Sequence, residues 1–297
     1  MMKGTILVNA YADMPSLTEQ ASRLKEEFTK AGAKVSVVKN DDYSALCAKR
    51  GLLTKDYGDF VVYLDKDKYL ARILEKTGIR LFNRAAAIET CDDKMITHVA
   101  LSGVVPMPET IPAPLCYTNN AVIKPEEADK VISVLGLPVV VKESFGSRGK
   151  GVYLARTKEE LHSLMNVLKG KPVLYQKFVE ESAGRDMRII VIGGKCFAAM
   201  ERRSDADFRS NIDLGGKGYA VTPPDEYVAL AEKAATALGL DYCGVDLLYG
   251  KDGPLLAEVN SNAFFREAER VTGRNVARAY VARVLDVMSS KNVREGL

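Results

Sequence analysis

PVVVKESFGSRGKGVYLA, residues 138–155, gives the strongest indication of the fold. Its two ends are rich in valine and tyrosine, which is typical of β-strands, and they flank a loop with Gly146, Gly149 and Gly151. The loop is not a P-loop, because Gly151 stands where a P-loop has serine or threonine after its lysine. It is not a Rossmann loop either, because a strand-like run follows it instead of a helix. The pattern therefore predicts a β-hairpin with a glycine-rich tip.

Two interpretations of this hairpin remain open: a flap that covers nucleotide phosphates, or a plain surface hairpin. Ser147, Lys150 and backbone N–H groups free of side-chain crowding suit phosphate oxygens. Lys142 lies on the incoming strand, where its ammonium could reach the same oxygens. In a protein kinase the lysine follows the loop, and the sequence has no HRD or DFG motif, so the hairpin is not that of a kinase.

A second hairpin is predicted for GVDLLYGKDGPLLAEVN, residues 244–260. A three-residue loop at 251–253, with Gly253 in a left-handed conformation, would place Asp246 opposite Glu258, and Asn260 would share their face. Paired carboxylates repel each other unless a cation lies between them, and Mg²⁺ prefers oxygen ligands. A two-residue turn would shift this register, and the alternative is that one acid lies on a solvated face. Apolar neighbours are expected to point away from the site: Val245, Leu247, Ala257 and Val259.

A third segment, AAMERRSDADFRSNIDLGGKG at residues 198–218, concentrates arginine. Arg202 and Arg203 alternate faces on a predicted strand, so only one of them can face a given site. Arg209 precedes Ser210 and Asn211, and a guanidinium matches phosphate oxygens. The interspersed acids disfavour a nucleic-acid patch. A solvated charged loop is the alternative.

The first 90 residues alternate predicted strands and helices, which indicates a parallel sheet with crossover helices. The first helix is expected over 16–31, capped by Ser16 with Glu19 completing a capping box. The turn at 9–15 contains no glycine, so it is not a dinucleotide-binding loop. Further on, one short helix is expected over 91–105, a proline-punctuated connection follows it, and a last helix covers about 274–289.

Composition narrows the chemistry. The 297 residues include only two histidines, which nearly excludes a His-rich metal site, and a Ser-His or Cys-His mechanism would have to use His98 or His162. The 42 basic and 39 acidic residues nearly balance, which argues against nucleic-acid binding from bulk charge. Five scattered cysteines form no CxxC pair and indicate reduced thiols. The sequence has neither a secretory signal pattern nor an apolar run long enough to span a membrane, so a cytoplasmic location is expected.

Taken together and in order, five stretches resemble the ATP-grasp superfamily, and most closely the RimK-type glutamate ligases. These are CDDK (91–94), VVVKESFGSRGKGV (139–152), YQKFVEESAGRDMRIIVIGGK (175–195), AAMERRSDADFRSN (198–211) and GVDLLYGKDGPLLAEVN (244–260). The resemblance implies an α/β ATP-grasp fold, α+β in its ATP-binding part. It also implies three domains: a Rossmann-like preATP-grasp domain at 1–92, a central subdomain with the flap at 93–178, and a C-terminal subdomain with the metal site at 179–297.

The resemblance also assigns roles to residues. Lys142 and Arg209 are implied as catalytic, and Asp246, Glu258 and Asn260 as ligands of two Mg²⁺ ions, for which Mn²⁺ could substitute. The implied ATP-binding residues are Lys94, Lys142, Ser147, Gly149, Lys150, Gly151, Gln176, Lys177, Phe178, Val179, Asp186, Arg209, Ser210 and Asn211.

The activity implied is ATP-dependent joining of a carboxylate to an amine through an acyl phosphate. The partners expected are ATP, an amino-acid carboxylate donor and an amine or peptide acceptor, without membrane or nucleic acid; a homo-oligomer, dimer or tetramer, stays open. A nucleotide-binding module without turnover and a kinase-like phosphotransfer to a small molecule are the alternatives. Residues 261–266, SNAFFR, differ from the Ser-Pro-Gly-Leu of RimK-type enzymes, so the acceptor cannot be taken over from them.

Overall fold

The computed structural model describes residues 1–12, 14–49, 51–118 and 120–295. Its first part contains six strands and four helices: β1 (Lys3–Val8), α1 (Pro15–Lys30), β2 (Lys34–Lys39), β3 (Leu46–Ala48), β4 (Gly51–Leu53), β5 (Phe60–Leu64), α2 (Lys68–Lys76), β6 (Arg80–Phe82), α3 (Ala85–Asp92) and α4 (Lys94–Leu101). Four of the strands form a parallel sheet in the order β2-β1-β5-β6, which confirms the predicted parallel sheet. The strands β3 and β4, which the sequence did not predict, form a separate two-stranded hairpin.

Helix α1 does not begin as predicted. Met14 is the N-cap, Pro15 takes the first helical position, and no side chain caps the helix. Proline suits that position because it lacks the N–H that would otherwise be unsatisfied. Ser16 therefore lies inside the first turn, and the predicted capping box of Ser16 and Glu19 is wrong.

The single helix expected over 91–105 is two helices, α3 and α4, separated at Asp93. The Asp93 carboxylate accepts hydrogen bonds from the N–H groups of Met95 (2.9 Å) and Ile96 (3.2 Å) and so caps α4. This cap places Lys94 at the first position of α4, where its side chain is buried.

The second sheet is antiparallel and carries the glycine-rich hairpin. Its elements are β7 (Thr110–Pro112), α5 (Pro125–Leu135), β8 (Val139–Glu143), β9 (Val152–Ala155), α6 (Lys158–Leu168) and β10 (Val173–Lys177), with strand order β7-β10-β8-β9. The strands β8 and β9 flank the predicted loop, and helices α5 and α6 pack on the apolar face of the sheet. The predicted hairpin is thus confirmed, whereas β7 lies in what the sequence indicated as irregular connection.

The third sheet is also antiparallel and is followed by the C-terminal helices. Its elements are β11 (Arg185–Ile192), β12 (Lys195–Arg203), β13 (Lys217–Ala220), α7 (Asp225–Ala237), β14 (Tyr242–Gly250), β15 (Gly253–Asn260), α8 (Arg266–Thr272) and α9 (Val276–Glu295), with strand order β13-β12-β11-β14-β15. Each predicted segment, 1–92, 93–178 and 179–297, contains one of the three larger sheets, and we propose these segments as the domains.

The strands β14 and β15 pair Asp246 with Glu258 as predicted, but the turn that joins the strands is not the predicted one. The turn has two residues, 251 and 252, because Gly250 pairs with Gly253, and Gly253 has a φ of 127°. A register shift between Asp246 and Leu247 inserts Ala257 as an extra residue and restores the pairing of Asp246 with Glu258. The predicted three-residue loop is wrong, and Ala257, expected to point away, lines the cleft.

Among the described residues, no helix combines the length and apolar character needed to cross a bilayer.

Candidate active site

A cleft of about 810 Å³ lies between the second and third sheets. Every residue implied by the resemblance lines this cleft except Gly151 and Asn260. Gly151 lies at the foot of the flap beside Glu143, and Asn260 lines a larger cavity of about 2390 Å³ that shares Glu258 with the cleft. The structure therefore brings together residues from all five stretches that carry the resemblance.

Lys94 and Lys142 are two of the four lysines that line the cleft. The Lys94 ammonium donates to the carbonyl of Gly146 in the flap (2.9 Å) and lies 3.8 Å from Glu258 Oε1. Burial lowers the pKa of Lys142 to about 8; Glu258 partly opposes this shift and Lys94 adds to it. Bringing two ammonium groups together in a buried place is unfavourable unless an anion accompanies them, so the cleft favours an anionic ligand.

Arg209 holds the flap from the opposite wall. Its guanidinium donates to the carbonyls of Gly149 (2.8 Å) and Val152 (3.1 Å) and pairs with Asp207 (2.7 Å). The flap itself is in tight contact with this wall, since a side chain at Gly149 would lie 2.7 Å from Asn211 Oδ1. The glycine also has a φ of +75°, a conformation that side chains disfavour. Glycine is thus required at this position for two independent reasons.

The end of β10 and the residues that follow it form one end of the cleft. The Gln176 amide is buried and contacts His98 Nε2 (2.7 Å) and Thr110 Oγ1 (2.8 Å). The exposed Lys177 pairs with Glu109 (2.8 Å). The resemblance to ATP-grasp enzymes implies that the backbone of residues 176–179 hydrogen-bonds adenine, and this stays a prediction.

Neither histidine has the surroundings of a nucleophile's base. Burial, Lys142 and Lys94 lower the pKa of His98 to about 3, so it is neutral at physiological pH. The His162 ring contacts the Ile123 carbonyl (2.7 Å), away from the cleft.

A buried ion network forms the floor of the cleft. Arg202 donates to Asp186 (2.7 Å) and lies 2.9 Å from Asp246, while Arg188 makes two 2.7 Å hydrogen bonds to Asp246. Burial opposes the charge of Asp246, but the two arginines outweigh it and hold its pKa below the usual value. The network therefore keeps Asp246 ionised inside the protein.

Asp246, Glu258 and Asn260 fit a divalent cation by their chemistry. The carboxylates of Asp246 and Glu258 stand opposite each other on β14 and β15, and the Asn260 amide lies 3.5 Å from Asp246. The Glu258 carboxylate accepts no side-chain hydrogen bond within the described part of the chain and lies 3.8 Å from the Lys94 ammonium. No three His, Cys, Asp or Glu side chains cluster as ligands among the described residues, so a metal here would also need the oxygen of Asn260. Oxygen donors of this kind suit Mg²⁺.

Sequence reasoning left two residues out of the site. Arg202 was only one of two candidates on its strand, and the structure buries Arg202 while the Arg203 side chain is 57% exposed. Arg188 was not considered, although it lies two residues after Asp186 and therefore on the same face of β11. That spacing was the signal that could have found it.

The comparisons place the whole chain in a known fold. It is similar to the D-alanine–D-alanine ligase of Bacillus anthracis complexed with ATP, with a TM-score of 0.75 at 18% identity, covering 99% of this chain and 100% of that one. The fold is therefore the ATP-grasp fold, as predicted. The RimK-like ATP-grasp domain family matches residues 110–284, so the chain belongs to that family.

Two of the relatives that match this chain are named for different activities. The chain is 37% identical to beta-citrylglutamate synthase B of Danio rerio over 238 residues, which cover 79% of the chain but 57% of the relative. It is 35% identical to a probable alpha-L-glutamate ligase of Syntrophotalea carbinolica over 239 residues, 79% of the chain and 74% of the relative. The chain thus spans little more than half the length of the first of these.

Proposed function

We propose that the protein is an ATP-dependent carboxylate–amine ligase that releases ADP and phosphate. The observation that carries this proposal is the arrangement of two connected cavities, which share Glu258 at their junction. The cleft supplies Lys94, Lys142, Arg209 and a glycine-rich flap, which suit a nucleoside triphosphate. The larger cavity has room for two further substrates beside it.

The reaction proceeds in two steps. A carboxylate oxygen of the donor attacks the γ-phosphorus of ATP, the bond to the bridging oxygen breaks, and ADP leaves with that electron pair. The amine nitrogen of the acceptor then attacks the acyl carbon, loses a proton, and expels phosphate with the second electron pair. Both steps need positioning and charge neutralisation more than a nucleophilic side chain, which agrees with the absence of a catalytic histidine.

The residues of the cleft are assigned accordingly. Lys94 and Lys142 bind phosphate oxygens, and Arg209 neutralises the transferring group after leaving its flap carbonyls. Asp246, Glu258 and Asn260 would hold two Mg²⁺ ions or Mn²⁺, and such ions supply positive charge beside the phosphates. The flap excludes water, which would otherwise hydrolyse the acyl phosphate.

The substrates are proposed to be amino acids or peptides that carry extra carboxylates. Four arginines line the larger cavity outside the nucleotide cleft, namely Arg148, Arg188, Arg266 and Arg270, and a substrate carboxylate would share them with the acids they pair with, Asp213, Asp246, Glu19 and Glu267. Relatives named beta-citrylglutamate synthase and alpha-L-glutamate ligase support a glutamate-type acceptor or donor. We also propose a cytoplasmic location, which agrees with the five cysteines being free thiols.

A pairwise screen tests the proposal. ATP and Mg²⁺ are mixed with pairs drawn from the twenty amino acids, citrate and N-acetyl-L-aspartate, and ADP release and product mass are measured. A ligase gives one ADP per amide. Hydroxylamine is then added, because only an activated carboxylate forms a hydroxamate. ADP without hydroxamate would indicate phosphotransfer to a small molecule, and tight ATP binding without ADP release would indicate a binding module.

A further inference from the structure

The segment 261–265 connects β15 to α8 without forming a helix or strand, and its residues 261–264 line the larger cavity. Hydrogen bonds from behind hold its backbone in place. The Asn83 amide donates to the Ser261 carbonyl (2.8 Å), and the Tyr242 hydroxyl donates to the Ala263 carbonyl (2.7 Å). A side chain presented by this segment is therefore fixed in position relative to Asn260.

Gln20, on helix α1 in the N-terminal part of the chain, contacts the same segment. It is 3% exposed, and its Nε2 donates to Asn262 Oδ1 (3.1 Å) and lies 3.4 Å from the Ala263 carbonyl. The neighbouring carbonyl decides the orientation of this amide, because a flipped Gln20 would bring two oxygens together. In this orientation the Gln20 Oε1 atom is buried and has no hydrogen-bond partner. The two contacts made by Nε2 therefore hold the amide in place even though one acceptor stays unsatisfied.

The contact with Gln20 determines what Asn262 shows to the cavity. Its Oδ1 is engaged towards α1, so the Nδ2 end of the amide, which carries two N–H donors, points elsewhere. No partner for Nδ2 exists within the described residues, and Asn262 lines the cavity together with Arg188 and Arg266. An amide that presents two N–H donors suits a carboxylate, and the neighbouring guanidinium groups add positive charge to the same walls, although Arg188 is paired with Asp246 and Arg266 with Glu19 (3.0 Å).

We propose that Asn262 donates a hydrogen bond to a substrate carboxylate that does not react, and that Gln20 is the positioning residue that orients it. This assignment rests on the proposed function for the identity of the cavity, and it makes the SNAFFR segment a determinant of specificity. Ligand binding tests it without requiring turnover.

The experiment measures the affinity of the full chain for L-glutamate by calorimetry, with a non-hydrolysable ATP analogue and Mg²⁺ present. Asn262→Asp keeps the shape and the acceptor for Gln20 but replaces the donor by a negative charge. It should weaken L-glutamate binding by about tenfold or more, because hydrogen bonds to charged groups are the strong ones. The affinity for the ATP analogue should stay within about twofold. The control Glu26→Gln changes an exposed side chain on α1, the helix that carries Gln20, and should change the affinity for neither L-glutamate nor the ATP analogue.

L-Glutamine and L-isoglutamine, each lacking one carboxylate charge, show which carboxylate is bound. Asn262→Asp should bind one of these two amides with the same affinity as the wild type does. Equal losses for L-glutamate and both amides would mean general damage to the cavity and would overturn the proposal, as would unchanged L-glutamate affinity in the variant. Wild-type protein that binds none of the three would overturn it as well. Failure of the proposed function is separate, since it appears as absent ADP release while L-glutamate still binds.

The role of Gln20 is tested by a double-mutant cycle. Gln20→Leu lets the Asn262 amide rotate, so adding Asn262→Asp to it should weaken L-glutamate binding less than in the wild type. Additive effects would show that Gln20 has only a structural role.

Discussion

Replacing Arg202 by methionine should destabilise the protein strongly, because Arg202 joins two acids in the floor of the cleft. The side chain is 2% exposed and contacts both Asp186 and Asp246. Burial opposes its charge, yet the two carboxylates outweigh burial and raise its pKa above the usual value. Methionine fills a similar volume without a charge or a donor, so the change isolates the ionic contribution.

The size of the effect follows from what remains after the substitution. Asp246 keeps its two hydrogen bonds to Arg188, whereas Asp186 loses its guanidinium partner. Removing one partner of a buried ion pair costs about 3–5 kcal/mol. Because Asp246 remains paired, we expect the lower end, about 3 kcal/mol.

Urea unfolding without metal or nucleotide measures this loss, with Arg203→Met as the matched control. Arg203 is the next residue on the same strand, but its side chain is 57% exposed. Its replacement should change the free energy of unfolding by no more than about 0.5 kcal/mol. If the two variants differ by less than about 1 kcal/mol, the buried network does not contribute as we infer.

Three further predictions concern the nucleotide cleft. Glu258→Gln should abolish turnover and leave the unfolding transition unchanged, since it removes a metal-binding charge; full activity in this variant would exclude the metal assignment. Because the pKa of Lys142 is about 8, the ammonium is charged below that pH, so affinity for an ATP analogue should fall between pH 7 and 9.5. Lys142→Arg should flatten that profile, and equal slopes in both proteins would contradict it. Gly149→Ala should weaken ATP binding by about tenfold, through left-handed strain of about 1–2 kcal/mol and the clash with Asn211. Gly32→Ala has a similar φ of +78° with no atom within 4 Å, so it should cause strain without loss of ATP affinity.

The fold could largely be predicted from the sequence because strand and helix periods are local. The parallel sheet and both hairpins follow from patterns a few residues long. Short elements escaped this reasoning. The strand β7 has three residues in a proline-rich stretch, and only its pairing with β10 makes it a strand.

The pairing of Asp246 with Glu258 was predicted correctly from a wrong turn. A three-residue loop and a two-residue turn followed by a bulge both place Asp246 opposite Glu258, so the sequence could not distinguish the two. The difference is visible only at Ala257, which the bulge turns towards the cleft.

The site could be predicted only in part, because contacts between distant segments build much of it. Residues on one motif, such as the flap glycines, could be found by spacing. The contacts of Lys94 and Arg209 with flap carbonyls join segments 52 and 60 residues apart, and no local pattern encodes them. The same holds for Gln20 and Asn262, which are 242 residues apart.

In the proposed reaction, the donor carboxylate is phosphorylated before the amine attacks. Labelling that carboxylate with ¹⁸O and analysing the phosphate released during amide formation decides whether this order is correct. One ¹⁸O atom should appear in the inorganic phosphate for each ADP formed. Unlabelled phosphate, with amide formed at the same rate, would exclude an acyl phosphate.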